Sequence, residues 1–403
     1  MTTQTKTPDL RTINLEYALI QATYWISFCG IVTYAAVFLQ TKGYSNTSLG
    51  RVMAFGFLLG FLLPQLVAAW IDRSAKVSVY HCQWILLGIQ LVLILILSRV
   101  PGKSTLLSVL NAVLIGVEIT RNPINTQISA DMEQRLGHIN YGAARGCGSI
   151  AFAPMTILVG RLLRERGVEL LTGINLLCLA LQALALLMLC SSLKGTVKAG
   201  SGIPASGPKS SSFLQFARNN KRFFALLGAV ALLFFSHNLA GNYLINVVRN
   251  VGGDTGDMGL LNGFTALMEF PMMFLYDRVA RRFRCASTVR FAAALFAVKA
   301  LGIALAPNLP MLFAANALQL FSFALITPAM VQYVNLTIHP RDSAKGQALA
   351  FGMVTLGNIL STGAGGILFD AFSVRTALLI GAGAALLAAL LCQAAVSPPS
   401  AVE

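Results

Sequence analysis

Six ionisable side chains stand inside long apolar stretches of the chain: Glu118, Arg121, Arg145, His237, Glu269 and Lys299. A charge kept in such surroundings is expensive, so each is a functional candidate unless a structural partner accounts for it. Arg145 lies in "YGAARGCGS" (141–149), among Ala144, Gly146 and Gly148, which leave room for a ligand or another helix. Its guanidinium offers a fixed fork of donors suited to adjacent solute oxygens. It also stands about one turn into its apolar run, so snorkelling to the surface is the competing reading.

"GVEITRNPINTQISAD" (116–131) places Glu118, Arg121, Asn122, Asn125 and Ser129 three or four residues apart, on one helical face. Glu118 and Arg121 either pair within their helix or meet a solute. Asn125, beside Pro123, is the better ligand candidate, because an amide both donates and accepts. Tyr17, Gln21, Tyr24, Trp25 and Phe28 form an aromatic stripe that fits either packing or stacking on a sugar or nucleobase. "FFSHNLAGNYLINVV" (234–248) groups His237, Asn238, Asn242 and Tyr243. His237 is either a buried neutral ring or the natural proton carrier of the set. Glu269 and Lys299, in neighbouring apolar runs, read as opposite charges that pair. The pair is either a permanent tie or a proton-released switch. Gln319, with Asn316 and Ser322 on its face, reads as hydrogen-bonding lining.

The elements that position these groups follow from composition. The 403 residues are 56% hydrophobic and 11% charged; a soluble domain carries about 25% charged residues. Apolar runs long enough to cross a bilayer, which takes about 20 residues, recur along the chain. Hydropathy places spans at 17–39, 49–71, 78–98, 105–130, 142–163, 170–191, 222–247, 255–276, 288–306, 310–336, 344–369 and 374–396. The net charge of +15 sits mainly in the short loops between spans. That distribution is the positive-inside pattern and not a nucleic-acid stripe. It sets both termini in the cytoplasm, with "RLLRERG" (161–167) as an external exception. Gly56, Gly60, Gly146, Gly148, Gly352, Gly357, Gly363, Gly365 and Gly366 read as close-packing positions between helices. The first span carries no cleavage signal and is expected to be retained.

The spans fall into two sets of six, giving a first bundle at 1–190 and a second at 222–403. The linker between them, 191–221, is rich in Gly, Ser, Pro and Lys over its first part. The halves repeat weakly. "QLVAAWIDRSAK" (65–76) matches "FPMMFLYDRVARRF" (270–283), and "YGAARG" matches "KGQALAFG" (345–352). Asp72-Arg73 and Asp277-Arg278 thus recur at equivalent helix ends, as gating latches or interfacial anchors. Such a repeat marks carriers that rock two bundles about a central site.

The chain resembles a major facilitator superfamily transporter along nearly its whole length. "AAWIDRSAK" is a degraded form of that family's loop motif, G-x-x-x-D-R-x-G-R/K. Ala68 and Ala75 replace its glycines; Asp72, Arg73 and Lys76 remain. Within the superfamily the chain is similar to the lactose-permease-like oligosaccharide/proton symporters. The resemblance rests on "YGAARGCGS", "GYSNTSLG" (43–50) and "AKGQALAFG…GGILFD" (344–370). It implies an all-α integral membrane fold of twelve helices in two six-helix bundles. It also implies that Arg145 grips sugar hydroxyls and that a cation at Lys299 serves coupling. Two departures stand out. Those symporters pair the arginine with a Glu in span 4, where this chain offers Gln127 or Thr126. They carry a His and a Glu in span 10, where this chain has Gln319 and Ser322. A proton site must therefore be built from Glu269, Lys299 and His237.

No Walker loop, dinucleotide fingerprint, H-E-x-x-H or haem motif is visible, so transport should draw on an ion gradient. The expectation is a non-enzymatic carrier without cofactor or metal. It takes a small polar solute, a sugar or oligosaccharide first, together with protons. A nucleoside or aromatic acid is the alternative cargo, and proton-driven drug efflux the alternative function. Gln21, Tyr24, Trp25, Asn125, Arg145, Asn238, Asn242 and Gln319 are the solute candidates. His237, Glu269 and Lys299 are the proton candidates. The seven cysteines are irregularly spaced and predict neither disulfides nor a metal cluster. The expected setting is a bacterial inner membrane, as a multi-pass monomer that binds no nucleic acid.

Overall fold

The structure, a computed structural model, describes residues 9–74, 77–137, 139–193 and 212–396. Regular structure among them is entirely helical. The long helices are α1 (Leu10–Thr41), α2 (Asn46–Arg73), α3 (Val79–Leu97), α4 (Thr105–Leu136), α5 (Tyr141–Arg166) and α6 (Leu170–Ser192). There follow α7 (Lys221–Asn242), α8 (Thr255–Arg282), α9 (Cys285–Leu305), α10 (Leu309–Thr337), α11 (Ser343–Ala371) and α12 (Val374–Ala395). Ten of the described helices are long and apolar enough to cross a membrane, and α8, bent by 52°, makes an eleventh. α4, at 32 residues, has the length but carries Glu118 and Arg121 in mid-run, which lowers its hydropathy.

Local sequence sets the helix boundaries. Side chains of Ser78, Ser104, Asn140, Asp254, Asn308 and Ser373 accept first-turn N–H groups. These bonds satisfy donors that the helix itself cannot. α4 and α5 stop at Gly137 (φ 93°) and Gly167 (φ 84°), conformations that side chains with a Cβ resist. α1 widens to a π turn over Cys29–Thr33, and α10 tightens to a 3₁₀ turn over Leu318–Leu320.

The chain divides into two compact units. The first comprises residues 1–44 and 52–203, and the second comprises 45–51 and 204–403. In the first, α1 packs on α5 and α6, and α3 packs on α4. In the second, α7 packs on α11 and α12, and α9 on α12 and α10. The first helix of each half thus pairs with the fifth and sixth. Large apolar side chains such as Leu66, Leu177, Leu184, Leu386 and Leu390 point outward. An apolar exterior of this extent is a liability in water and the normal surface in lipid.

Close approach explains some glycines and not others. A Cβ at Gly60 would lie 2.7 Å from Ile119 Cβ on α4, and one at Gly56 2.8 Å from Ile115 Cγ2. A Cβ at Gly357 would meet the Ala231 carbonyl of α7 at 2.5 Å. Gly146 and Gly352, by contrast, have open space where a Cβ would go, so their expected packing role is corrected. Each residue turns the helix by 100°, and two positions from Gly148 the helix presents a different face. Phe213–Asn219, within the stretch read as linker, is a short helix whose Phe216 is buried against Phe223 and Phe224. Residues 194–211 lie outside the described residues.

Candidate functional site

In the first unit the guanidinium of Arg145 lies over the Trp25 ring, 4.1 Å from its centroid, and donates to Ser149 Oγ at 3.2 Å. The sequence explains how they meet. Gly148 lets the indole of α1 rest on α5, because a Cβ there would fall 2.3 Å from Trp25 Cδ1. Tyr24, Phe28 and Phe152 surround the ring edge-on or tilted, at 5.4, 5.1 and 6.3 Å. The result is a half-buried cation held over an aromatic ring. The Trp25 indole N–H is itself buried without a hydrogen-bond partner among the described residues.

The other first-unit candidates lie deeper. Gln21 is fully buried and donates to Tyr17 Oη (2.7 Å), which in turn donates to the Asn125 carbonyl (3.0 Å). Asn125 is also fully buried and accepts from Gln83 Nε2 at 2.9 Å. Tyr24 is buried beside Trp25. Glu118 and Arg121 are fully buried and pair at 3.2 Å, the within-helix pairing that their spacing allowed. Gln90 of α3 joins both of them, although as an uncharged residue in an apolar run it drew no attention in the sequence. Gln83 and Gln90 lie seven apart, two helical turns, and that spacing was the available signal.

In the second unit Glu269 of α8 and Lys299 of α9 are linked through Gln319 of α10. Gln319 Nε2 donates to Glu269 Oε1 at 2.7 Å, and Lys299 Nζ donates to Gln319 Oε1. The 3₁₀ turn over Leu318–Leu320 carries Gln319 at its centre and buries it. Lys299 is buried as well. His237 is half-buried and stacks on Phe323, ring centroids 4.9 Å apart, with Phe296 and Phe234 edge-on at 5.7 and 6.3 Å. Asn242 Nδ2 donates to Asn358 Oδ1 (2.8 Å) and Ser361 Oγ (3.4 Å), forming an amide-hydroxyl cluster with α11. Asn238 is half-buried one turn earlier.

The latch candidates are less informative. Arg73, Asp277 and Arg278 are exposed near the ends of α2 and α8. The side chain of Asp72 lies outside the described residues. A charge contact that the sequence reading did not single out forms in the second unit instead. Asp370 accepts from Asn46 N (3.1 Å), Asn46 Nδ2 (3.0 Å) and Thr47 N (2.7 Å), capping the start of α2. A carboxylate at a helix N-terminus gains from both the free N–H groups and the helix dipole.

The profile of the family described as "MFS_1 like family" matches residues 17–380. The maltose permease of Geobacillus stearothermophilus is 24% identical over 280 residues, which cover 69% of this chain and 68% of that protein. Among solved structures, the nucleoside transporter NupG superposes with a TM-score of 0.75 at 14% identity, covering 95% of this chain and 98% of that one. The POT family transporter PepTSo superposes with a TM-score of 0.74 at 13% identity, covering 96% and 97%. At these identities the solved structures speak for the fold alone.

Proposed function

Given that the chain belongs to the MFS_1-like family, and is thus a membrane transporter of the major facilitator type and not an enzyme, we propose that it carries a small polar solute together with protons by alternating access. The first cargo class is a sugar or oligosaccharide. The Arg145–Trp25 stack carries this reading. A sugar presents hydroxyls at its rim and C–H groups on its face. An arginine fork beside an aromatic plane offers partners for both. The Asn242, Asn358 and Ser361 cluster supplies neutral donors and acceptors that suit the same chemistry. The likeness to a maltose permease supports the same class.

Coupling is assigned to the chain Lys299–Gln319–Glu269. When Glu269 is ionised, the linked charges cancel across the amide. When Glu269 takes a proton, Lys299 keeps an uncompensated charge, and the buried group favours a rearranged α8–α9–α10. That difference between protonation states is what a proton needs in order to bias a conformational equilibrium. His237 stands against Phe323 of the same helix as Gln319 and is assigned to the proton route. Asp72, Arg73, Asp277 and Arg278 are assigned to gating. The protein is placed in a bacterial inner membrane as a monomer.

The test is a panel of sugars, nucleosides and organic acids added to lightly buffered, de-energised cells that make the protein. Alkalinisation of the medium on adding a sugar is the expected result. Alkalinisation with a nucleoside or aromatic acid alone would move the cargo class. Silence to the whole panel, with dye leaving energised cells, would replace uptake by efflux.

A further inference from the structure

The first unit holds a charge cluster that coupling through Glu269 leaves unused. Gln90 donates its amide N–H to Glu118 Oε2 at 2.5 Å, and its carbonyl oxygen accepts from Arg121 Nη1 at 2.5 Å. The second unit repeats this chemistry with the same polarity. There Gln319 donates to the carboxylate of Glu269 and accepts from the cation of Lys299. In both places an amide stands between an acid and a base on membrane helices.

The hydrogen bonds at Glu118 are one-sided. Gln90, Arg121 (3.2 Å) and Ser27 Oγ (3.4 Å) all donate to Oε2. Oε1 is buried with no hydrogen-bond partner among the described residues. Arg121 Nε and Nη2 are likewise buried without partners. A permanent ion pair in an apolar interior holds its place by saturating both members; this one leaves an acid oxygen and two of the three guanidinium nitrogens unused. An ionised carboxylate spreads its charge over both oxygens, and the buried Oε1 meets no donor that would stabilise its share; a proton there removes that charge.

We propose that Glu118 is a second proton-binding carboxyl of the transport cycle, positioned by Gln90 and Arg121 as Glu269 is by Gln319 and Lys299. This rests on the proton-coupled reading above. A proton from water forms an O–H bond at Oε1, and all three bonds to Oε2 persist. The cluster passes from neutral to one positive charge, and the proton returns to water on release. The titratable groups around it are Arg121 on its own helix, Tyr24 from α1 and Cys178 from α6. α3 contributes the neutral Gln90, and α1 also the neutral Ser27.

The experiment is infrared difference spectroscopy on the full chain in lipid vesicles, with acidification of the buffer as the only stimulus. Protonated buried carboxyls add a C=O stretching band. The band is expected to have two components, one lost in Glu118→Gln and the other in Glu269→Gln. If Glu118→Gln fails to fold because Arg121 is stranded, Glu118→Gln with Arg121→Gln removes both charges and loses the same component. A band unchanged by either Glu118 variant means that Glu118 does not change its protonation on acidification, and overturns the proposal. A band removed with Glu118 but untouched by Glu269→Gln supports Glu118 and overturns Glu269 instead, so the two readings fail separately.

Discussion

Gln319 donates to Glu269 across 2.7 Å and, through its other end, accepts from Lys299. The acid and the base of the second unit are therefore linked through a neutral group that bonds to both. Replacing Gln319 with Leu keeps the volume and removes both bonds. Taking this acceptor from the buried Lys299 ammonium costs about 1–3 kcal/mol. Gln319→Leu is predicted to lower the thermal unfolding midpoint of the purified protein in detergent. Gln319→Glu, which can pair with Lys299 directly, is predicted to hold the fold and lose solute accumulation. An unaltered midpoint in Gln319→Leu would show that the bridge contributes nothing to the folded state.

Arg145→Lys exchanges a guanidinium fork held over the Trp25 ring for a point charge. Cation–aromatic stacking is worth about 0.5–2 kcal/mol. With the lost fork, solute affinity is predicted to fall about tenfold, since about 1.4 kcal/mol is a factor of ten. Trp25→Leu is predicted to act in the same direction, and Trp25→Phe more weakly. Uptake kinetics at matched expression check this. Full affinity in both Arg145→Lys and Trp25→Leu would remove the stack from the solute path.

Gly148→Val should break that stack without touching either partner. The new Cβ falls 2.3 Å from Trp25 Cδ1, so the indole must move. The chain has three tryptophans. With Trp70→Phe and Trp84→Phe as background, the remaining emission reports Trp25 alone. A shift in that emission, with uptake lost as in Arg145→Lys, is the predicted outcome. Emission identical to the Gly148 parent would show that the ring does not rest there.

Gly60 and Gly146 separate close packing from mere small size. Gly60→Val drives a side chain into Ile119, at a cost of about 1–3 kcal/mol for overpacking. Gly146→Ala meets open space. The yield of monodisperse protein after detergent extraction is predicted to drop for Gly60→Val and to hold for Gly146→Ala. Equal yields would mean that α2 and α4 yield more than their spacing allows.

The membrane helices were legible because apolar length is a property of sequence alone, and the internal repeat showed in motifs that recur half a chain apart. The charges inside those helices were legible too, since burial makes each one conspicuous. What sequence could not supply was rotation about each helix axis. Gly146 looked like a packing position and faces open space; Gly148, two residues on, does the packing. Gln21 and Asn125 looked like lining and are fully buried among Tyr17 and Gln83. Glu269 and Lys299 read as a pair from sequence; the structure shows a link through the Gln319 amide, and the 3₁₀ turn that presents Gln319 has no signature of its own. Gln90 escaped notice for a simpler reason: it carries no charge, and its importance lies in the charges it touches.

Proton coupling through Glu269 is tested most directly in sealed vesicles containing the purified protein, with maltose and uridine as probe solutes and an imposed inward proton gradient. Glu269→Gln is predicted to exchange internal for external solute at rates near those of the unaltered protein, yet to reach no internal concentration above the external one. Uphill accumulation by Glu269→Gln equal to that of the unaltered protein would contradict the assignment.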